Sequence, residues 1–238
     1  MVGQTPGFKR DELKARYEVT SIQEDEWHSY TDVKTAKIVA NHLLHAKRIG
    51  GWLLNAGAGI YEIKEGDWRQ VPLDLFAAPI CGKRYAVCGS VERLPFADQA
   101  FDVAVCVGEV LAYCDPAAAL WELHRVTKSS GLLICDFGNS RSLRHIMKTS
   151  FGRAADLVTD DYNGSQERIW IYSPAYIASL LEEFGFRITA RYGSHTWSAL
   201  GRRLGLTATN SLSAQCSLNW LPLPVQWADL VTFVAERV

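Results

Sequence analysis

Two glycines and a carboxylate are the first residues of this chain whose spacing could do chemistry. Gly57 and Gly59 form a G-x-G turn after the apolar run Trp52–Leu54 and the polar Asn55. Asp74 follows nineteen residues beyond Asn55, at the end of a second short run, Gln70–Leu73. A glycine turn lets backbone approach a ligand because no side chain holds the two apart. A carboxylate ending the second strand of a βαβ unit can accept hydrogen bonds from both hydroxyls of a ribose. The pattern predicts a nucleoside-bearing ligand at a strand edge; the plainer alternative is an ordinary turn beside a solvated acid. Groups able to move a proton are scattered: His28, Tyr113, Asp136, Asn139, His145 and His195. Spacing marks none of them, and a lone histidine is more often structural than catalytic. Glu109 reads as a residue that holds its loop rather than one that takes a proton.

The elements that must position these residues follow from apolar periodicity. A short helix is expected near Asp11–Tyr17, then a longer one over Asp32–Arg48, with Val33, Ala36, Ile38, Val39, Ala40, Leu43 and Leu44 at helical spacing. Thr31-Asp32 would cap it, and Gly50-Gly51 would end it after Lys47 and Arg48. Trp27, His28 and Tyr30 would either pack on this helix or form a flap over the ligand. Trp52–Leu54 is a buried strand, Ile60–Gly66 a short helix, Gln70–Leu73 a second strand and Ala86–Cys88 a third. Ala100–Val107 reads as a central strand broken only by Asp102, Pro116–Val126 as a helix, and Leu132–Cys135 as a strand ending at Asp136. Strands alternating with helices at this rhythm predict a mostly parallel sheet wrapped on both faces.

Composition narrows the class. Hydrophobic residues at 48% and charged residues at 21% suit a globular chain long enough for one sizeable α/β domain. A formal net charge of −1 offers nothing to nucleic acid or to an anionic membrane. No apolar run approaches the roughly 20 residues of a membrane span. The polar stretch Met1–Lys14 lacks the apolar core of a signal peptide. The six cysteines include no C-x-x-C pair, so the expectation is reduced thiols in a cytoplasmic protein, with no metal site.

One block carries a resemblance. It runs Gly89-Ser-Val-Glu-Arg-Leu-Pro-Phe-Ala-Asp-Gln-Ala-Phe-Asp-Val-Ala-Val-Cys, then Glu109-Val-Leu-Ala-Tyr, Asp115-Pro-Ala-Ala-Ala-Leu-Trp-Glu-Leu-His-Arg-Val and Gly131-Leu-Leu. It resembles the class I S-adenosylmethionine-dependent methyltransferases, especially the small-molecule branch related to ubiquinone and menaquinone methyltransferases. The glycine turn and Asp74 stand in matching places, and Ser173-Pro174-Ala175-Tyr176 to Gly185-Phe186 resembles the family's last helix and its exit. The resemblance spans roughly residues 30–190. It implies a doubly wound, Rossmann-like, seven-stranded sheet, mostly parallel with an antiparallel last strand and helices on both faces.

The resemblance also implies roles. Asn55, Ala56, Gly57 and Gly59 would line the methionine end of the cofactor. Asp74 would bind the ribose, with Leu75 beside it. Ser90 and the backbone of Val91 would meet the adenine, with Glu92 adjacent, and Cys106, Val107 and Gly108 would flank the sulfonium. Three positions depart from the family: Asn55 replaces an acid, Tyr61 replaces a third glycine and Tyr113 replaces a histidine. Asn keeps an acceptor oxygen but loses the charge that favours the cofactor's ammonium group.

Methyl transfer from a sulfonium has a neutral leaving group, so alignment in a dry pocket is the main requirement, with at most one general base. The chain is expected to be one domain over residues 1–238, with a helical flap at 1–48 and substrate-cap insertions at 141–172 and 193–228. Residues 141–159 have helical spacing, and Trp197, Trp220 and Leu221 would wall an apolar pocket or else form core or a subunit contact. The expected reaction is methylation of O, N or C in a small, apolar or aromatic metabolite by a monomer or homodimer. The rivals are a non-catalytic or regulatory protein on the same fold and an NAD(P)-dependent oxidoreductase. The second lacks G-x-G-x-x-G at its full spacing.

Overall fold

The alternation of apolar residues along each strand explains how the sheet is covered. The computed structural model describes residues 26–46, 50–162, 165–218, 221 and 223–238. In chain order the elements are α1 (Glu26–Leu44), β1 (Trp52–Ala56), β2 (Arg69–Asp74), β3 (Val87–Cys88), β4 (Phe101–Cys106), α2 (Pro116–Val126) and β5 (Thr127–Gly138). They continue as β6 (Ala155–Tyr162), β7 (Ser165–Tyr172), α3 (Pro174–Glu183), β8 (Phe186–Ser194), α4 (Trp197–Arg203), α5 (Ala208–Leu218) and β9 (Leu230–Arg237). The helix expected near Asp11–Tyr17, together with Lys47, Arg48 and Trp220, lies outside the described residues.

Seven strands form one sheet in the order β3-β2-β1-β4-β5-β9-β8. The pairs among the first five strands are parallel, and β9 runs antiparallel to both β5 and β8. Leu53, Val103, Val105, Ile134 and Val234 point to one face, where Ile38, Val39 and Leu43 of α1 cover them. Leu54, Ala104, Cys106, Leu133, Cys135, Phe137 and Phe233 point to the other, against Leu120 and Leu123 of α2 and Ile177 and Leu181 of α3. Period-2 alternation on strands meets period-3.6 stripes on helices, and both faces become dry.

The motif that carried the resemblance holds together for a physical reason. Glu122 of α2 accepts the Leu94 N–H at 2.7 Å, and Arg125 donates to the carbonyls of Phe96 (2.7 Å) and Leu94 (3.0 Å) and to Asp98 (2.8 Å). Asp115 caps α2 through the N–H groups of Ala117 and Ala118, while Glu92 accepts from the N–H of Asp115 at 2.7 Å. The Glu-Leu-His-Arg run of the helix therefore clamps the Arg-Leu-Pro-Phe loop. Arg125→Ala is expected to cost about 2 kcal/mol, since it strands two carbonyls and a carboxylate pair at once. A lower urea midpoint at unchanged slope would record it.

Three local expectations fail. Thr31 and Asp32 lie inside α1, which starts at Glu26, so they do not cap it. Ile60–Gly66 is a turn, because side chains take its backbone groups before a helical ladder can: Asn55 and Lys83 both donate to the Tyr61 carbonyl, and the Gln70 amide pairs with both backbone groups of Ile63. Residues 141–159 form a short turn at Leu143–His145 and then enter the β6–β7 hairpin. Left-handed backbone at Met147 and Gly152 interrupts the helical spacing. The hairpin is stitched to the sheet by Ser140, whose N–H donates to the Tyr172 carbonyl at 3.0 Å.

Candidate active site

The glycine turn is held from β2 and left open above. Gly57 and Ala58 both donate their N–H groups to the Leu73 carbonyl, at 2.8 and 2.9 Å. Gly57 has φ +74°, and a Cβ there would lie 2.2 Å from Cγ2 of Val110. Gly59 (φ +49°) and Gly108 (φ +84°) also have left-handed backbone, yet among the described residues a Cβ on either would meet nothing within 4 Å. Between them the ends of β1 and β4 present bare backbone to open space. Asp74 stands at the same edge, accepting from the N–H of Gly59 at 2.8 Å and of Phe76 at 2.9 Å. Each carboxylate oxygen has a further lone-pair direction for a hydroxyl donor.

The neighbouring groups stiffen this edge. Lys83 donates to the carbonyls of Gly59 (2.9 Å) and Tyr61 (3.1 Å), and burial lowers its pKa although Glu62 and Asp74 oppose that shift. Asn55, buried at the end of β1, donates to the Tyr61 carbonyl at 3.4 Å, and the Tyr61 hydroxyl reaches Asp32 of α1. Ser90 accepts from the Glu92 N–H at 3.2 Å, with Val91 buried between them and Leu75 exposed at the mouth. Ala56 and Cys106 are fully buried, and burial drives the Cys106 thiol well up, so it is an inert wall. Val107 and the exposed Gly108 follow. This edge could hold an adenosyl group: the Asp74 carboxylate has lone pairs to spare for hydroxyl donors, and among the described residues nothing lies within 4 Å of a Cβ at Gly59 or Gly108.

Beyond Gly108 the chain builds an acidic rim. Asp136 of β5 is fully buried and accepts the N–H groups of Gly108 (3.1 Å) and Glu109 (2.8 Å). Burial pushes its carboxyl up to about 6 against those two hydrogen bonds, and the charge of Asp32 adds to the rise. Glu109 has left-handed backbone (φ +58°), and its carboxyl lies where a Cβ on Gly138 would come within 3.0 Å. Burial, then Asp136, Asp229 and Asp160, push Glu109 up to about 8, with Arg144 alone opposing. Arg144 is already occupied, as it pairs with both oxygens of Asp160 and lies 3.5 Å from Asp229. Asp229 also accepts from the Ser142 hydroxyl at 2.6 Å. Burial would raise its pKa, but Arg144, His145 and Ser142 reverse this and hold it low. Among the described residues no cluster of His, Cys, Asp or Glu is arranged to hold a metal ion.

The proton carriers weighed from sequence separate clearly. His195, at the exit of β8, stacks on Trp27 with ring centroids 3.8 Å apart and bonds Thr31 of α1 at 2.7 Å and Ser198 at 3.0 Å. Tyr30 tilts against the same ring. Burial holds the imidazole at about 4, helped by Lys34 and His28 and opposed by Asp229, so at neutral pH it is an uncharged clasp between α1 and β8. His28 therefore lies in this neighbourhood. His145 is buried with its pKa lowered by that burial, and its Nδ1 has no hydrogen-bond partner among the described residues. Tyr113 donates to Glu167 of the hairpin at 3.0 Å, and Asn139 spends its amide on the carbonyls of Gln226 and Ala228. Trp197 and Leu221 are joined by an indole N–H to carbonyl bond of 3.1 Å. Arg144, Asp160 and Asp229 carry no spacing signal in the sequence; only Gly138, two residues past a strand-end acid, hints that something needs room there.

Known proteins match part of this sequence and its fold. A family described as "Methyltransferase domain" matches residues 61–135. A malonyl-acyl-carrier protein O-methyltransferase from Herminiimonas arsenicoxydans is 45% identical over 67 residues, 28% of this chain and 25% of that protein. The chain thus matches about a quarter of that relative's length. Two solved structures share the fold. The cyclase SpnF superposes with a TM-score of 0.60 at 17% identity, covering 92% of this chain and 85% of its own. The 1,6-didemethyltoxoflavin-N1-methyltransferase of Burkholderia thailandensis gives 0.58 at 16% identity, over 99% and 93%. Residues 61–135 are thus similar to a methyltransferase domain, and the chain as a whole shares the fold of the superposed structures.

Proposed function

We propose that this protein transfers the methyl group of S-adenosylmethionine to a small-molecule acceptor. The observation that carries the proposal is the pair of left-handed glycines, Gly59 and Gly108, where a Cβ would meet nothing within 4 Å among the described residues, with Asp74 at the same edge as Gly59. When bound, the cofactor supplies an electrophilic methyl carbon on a charged sulfur. Asn55, Ala56, Gly57 and Gly59 hold its methionine end, Asp74 its ribose with Leu75 alongside, and Ser90, Val91 and Glu92 its adenine. Cys106, Val107 and Gly108 border the reacting centre. Lys83 fixes the carbonyls of Gly59 and Tyr61 and so stiffens the turn.

Glu109 is the base we assign. It directly follows Gly108, its carboxyl is half-buried among acids, and its raised pKa gives it the basicity of a proton acceptor working near neutral pH. Asp136 positions it by gripping two successive backbone N–H groups. Neutral His195 serves as the clasp that seats α1. The protein is assigned to the cytoplasm on its free cysteines, as a monomer or homodimer without nucleic-acid partners. Among the described residues no helix is long and apolar enough to cross a membrane.

The test is methyl transfer itself. Purified protein incubated with S-adenosylmethionine labelled in its methyl group and a panel of phenols, amines and carboxylic acids should yield labelled product and S-adenosylhomocysteine. Tight binding of S-adenosylhomocysteine with no transfer across the panel would favour a regulatory role on this fold.

A further inference from the structure

Charge is divided unevenly along this chain. Of its 25 lysines and arginines, eight fall in two stretches, 137–155 and 184–228, that hold no aspartate or glutamate; the other 17 share the rest of the chain with all 26 acids. The whole-chain charge of −1 conceals that division. The two stretches meet at the end of α4, where Arg203 donates its Nε–H to the Ile146 carbonyl at 3.2 Å. Ser142, four residues earlier, bonds Asp229, next to the Leu230 that pairs with Gly138 at the end of β5, so the meeting point stands at the carboxyl edge of the sheet. Large apolar side chains face water here: Met147 is 89% exposed, Leu204 73%, Leu206 41% and Ile146 37%. Lys148, Arg202 and Arg203 flank them in sequence, and all three are exposed. Arg144, Arg153 and Arg187 of the same stretches pair with Asp160, Asp156 and Glu236. The bonds of Arg202 and Arg203 go to carbonyls instead, and among the described residues neither they nor Lys148 pair with a carboxylate.

We propose that this face docks the protein on an anionic lipid surface, with Met147 and Leu204 entering the headgroup layer and Lys148, Arg202 and Arg203 meeting the lipid phosphates. The proposal goes beyond the methyl-transfer reading and does not depend on it. Apolar tips beside unpaired cations are complementary to a surface that is negative outside and apolar just beneath. Lys and Arg stems can lie along the acyl boundary while their charges stay with the headgroups. An acidic protein would satisfy the cations too, but it must be met by a continuous packed face. Met147 sits in a turn with φ +65° and Leu204 follows the last residue of α4, so the apolar groups come from two separate chain reversals. Docking there would set the carboxyl edge of the sheet, where the candidate active site lies, on the lipid side. It needs no spanning helix, and none is present among the described residues.

Co-sedimentation of the full chain with phosphatidylcholine vesicles, with and without phosphatidylglycerol, tests this. The parent should pellet with the anionic vesicles at low salt and stay in solution with the neutral ones. About 0.5 M sodium chloride, which shortens electrostatic reach to a few ångströms, should release it. Met147→Ser and Leu204→Ser should each weaken partitioning about tenfold and Lys148→Glu at least about fivefold, with melting temperatures unchanged because these side chains are exposed. Arg69→Glu, an exposed site where β2 begins at the opposite end of the sheet, should partition as the parent does. A parent that ignores anionic vesicles overturns the proposal, and if it binds polyglutamate through Lys148 the occupant is an acidic protein. Variants at Met147 and Leu204 that pellet as the parent does overturn it too. So does a parent dimer in sedimentation equilibrium that Met147→Ser dissociates, since the face then meets a second copy of the chain.

Discussion

Gly59→Ala is expected to leave the fold standing and abolish cofactor binding, whereas Gly57→Ala, two residues earlier, should weaken the fold itself. Both glycines have left-handed backbone, so alanine costs about 1 kcal/mol of conformational strain at either position. They differ in what surrounds them. At Gly57 the new methyl would sit 2.2 Å from Val110, on the turn that follows β4, and either the turn or that segment must move. Overpacking of this kind raises the total loss to about 3 kcal/mol. At Gly59 the methyl meets no atom of the described residues within 4 Å and would project into the volume proposed for the ligand. The predicted pattern is a dissociation constant for S-adenosylhomocysteine raised at least about tenfold in Gly59→Ala with nearly parental melting, a split that pure destabilisation does not produce. Gly57→Ala should show both losses together. Circular dichroism melts paired with binding titrations separate the two.

Glu109→Gln should remove the pH dependence that this carboxyl gives to both stability and rate. The folded protein holds this carboxyl at about 8 against an ordinary 4.5, so the folded state binds the proton more tightly than the unfolded one. Its contribution is fully present below pH 4.5 and is lost as pH rises through 8. Because the side chain is half-buried, the loss is put at about 2 kcal/mol rather than the full linkage value. The glutamine variant should therefore match the parent in acid and exceed it in stability above pH 8. Activity runs the other way: as a base Glu109 acts when deprotonated, so kcat/KM of the parent should climb through about pH 8 and that limb should vanish in the variant. A parent protein equally stable at pH 5 and pH 9, with an unchanged rate profile in Glu109→Gln, would show that the carboxyl titrates elsewhere and takes no proton.

Much of the scaffold could be read from residue order, and the reasons differ by element. β4 was legible because a central parallel strand is apolar on both faces, and its one interruption, Asp102, proves structural, taking the Trp52 N–H and Lys128 at the opposite end of the sheet. α2 was legible from its apolar period and α3 from its likeness to the family's last helix; in the structure each begins with a capping Asp or Ser followed by Pro. The segment after Gly59 was not, since its path is set by the side chains of Asn55, Gln70 and Lys83, which are distant in sequence or short in pattern. The β6–β7 hairpin was misread because apolar spacing alone cannot report left-handed residues at Met147 and Gly152. At the site, the glycine edge announced itself. The acidic rim did not, because Asp136, Asp160 and Asp229 come from three separate strand ends, and their mutual effect on Glu109 exists only once the sheet has formed. His195 was one histidine among several until Trp27 and Thr31 were seen to hold it.

Isothermal titration of S-adenosylhomocysteine into the purified parent protein and into Gly59→Ala tests the central claim most directly. The account predicts one saturable site in the parent at micromolar concentration, and no resolvable heat from the equally folded variant. Absence of heat in the parent, or equal heats in both proteins, would contradict the claim that the bare edge formed by β1, β2 and β4 is built to receive the cofactor.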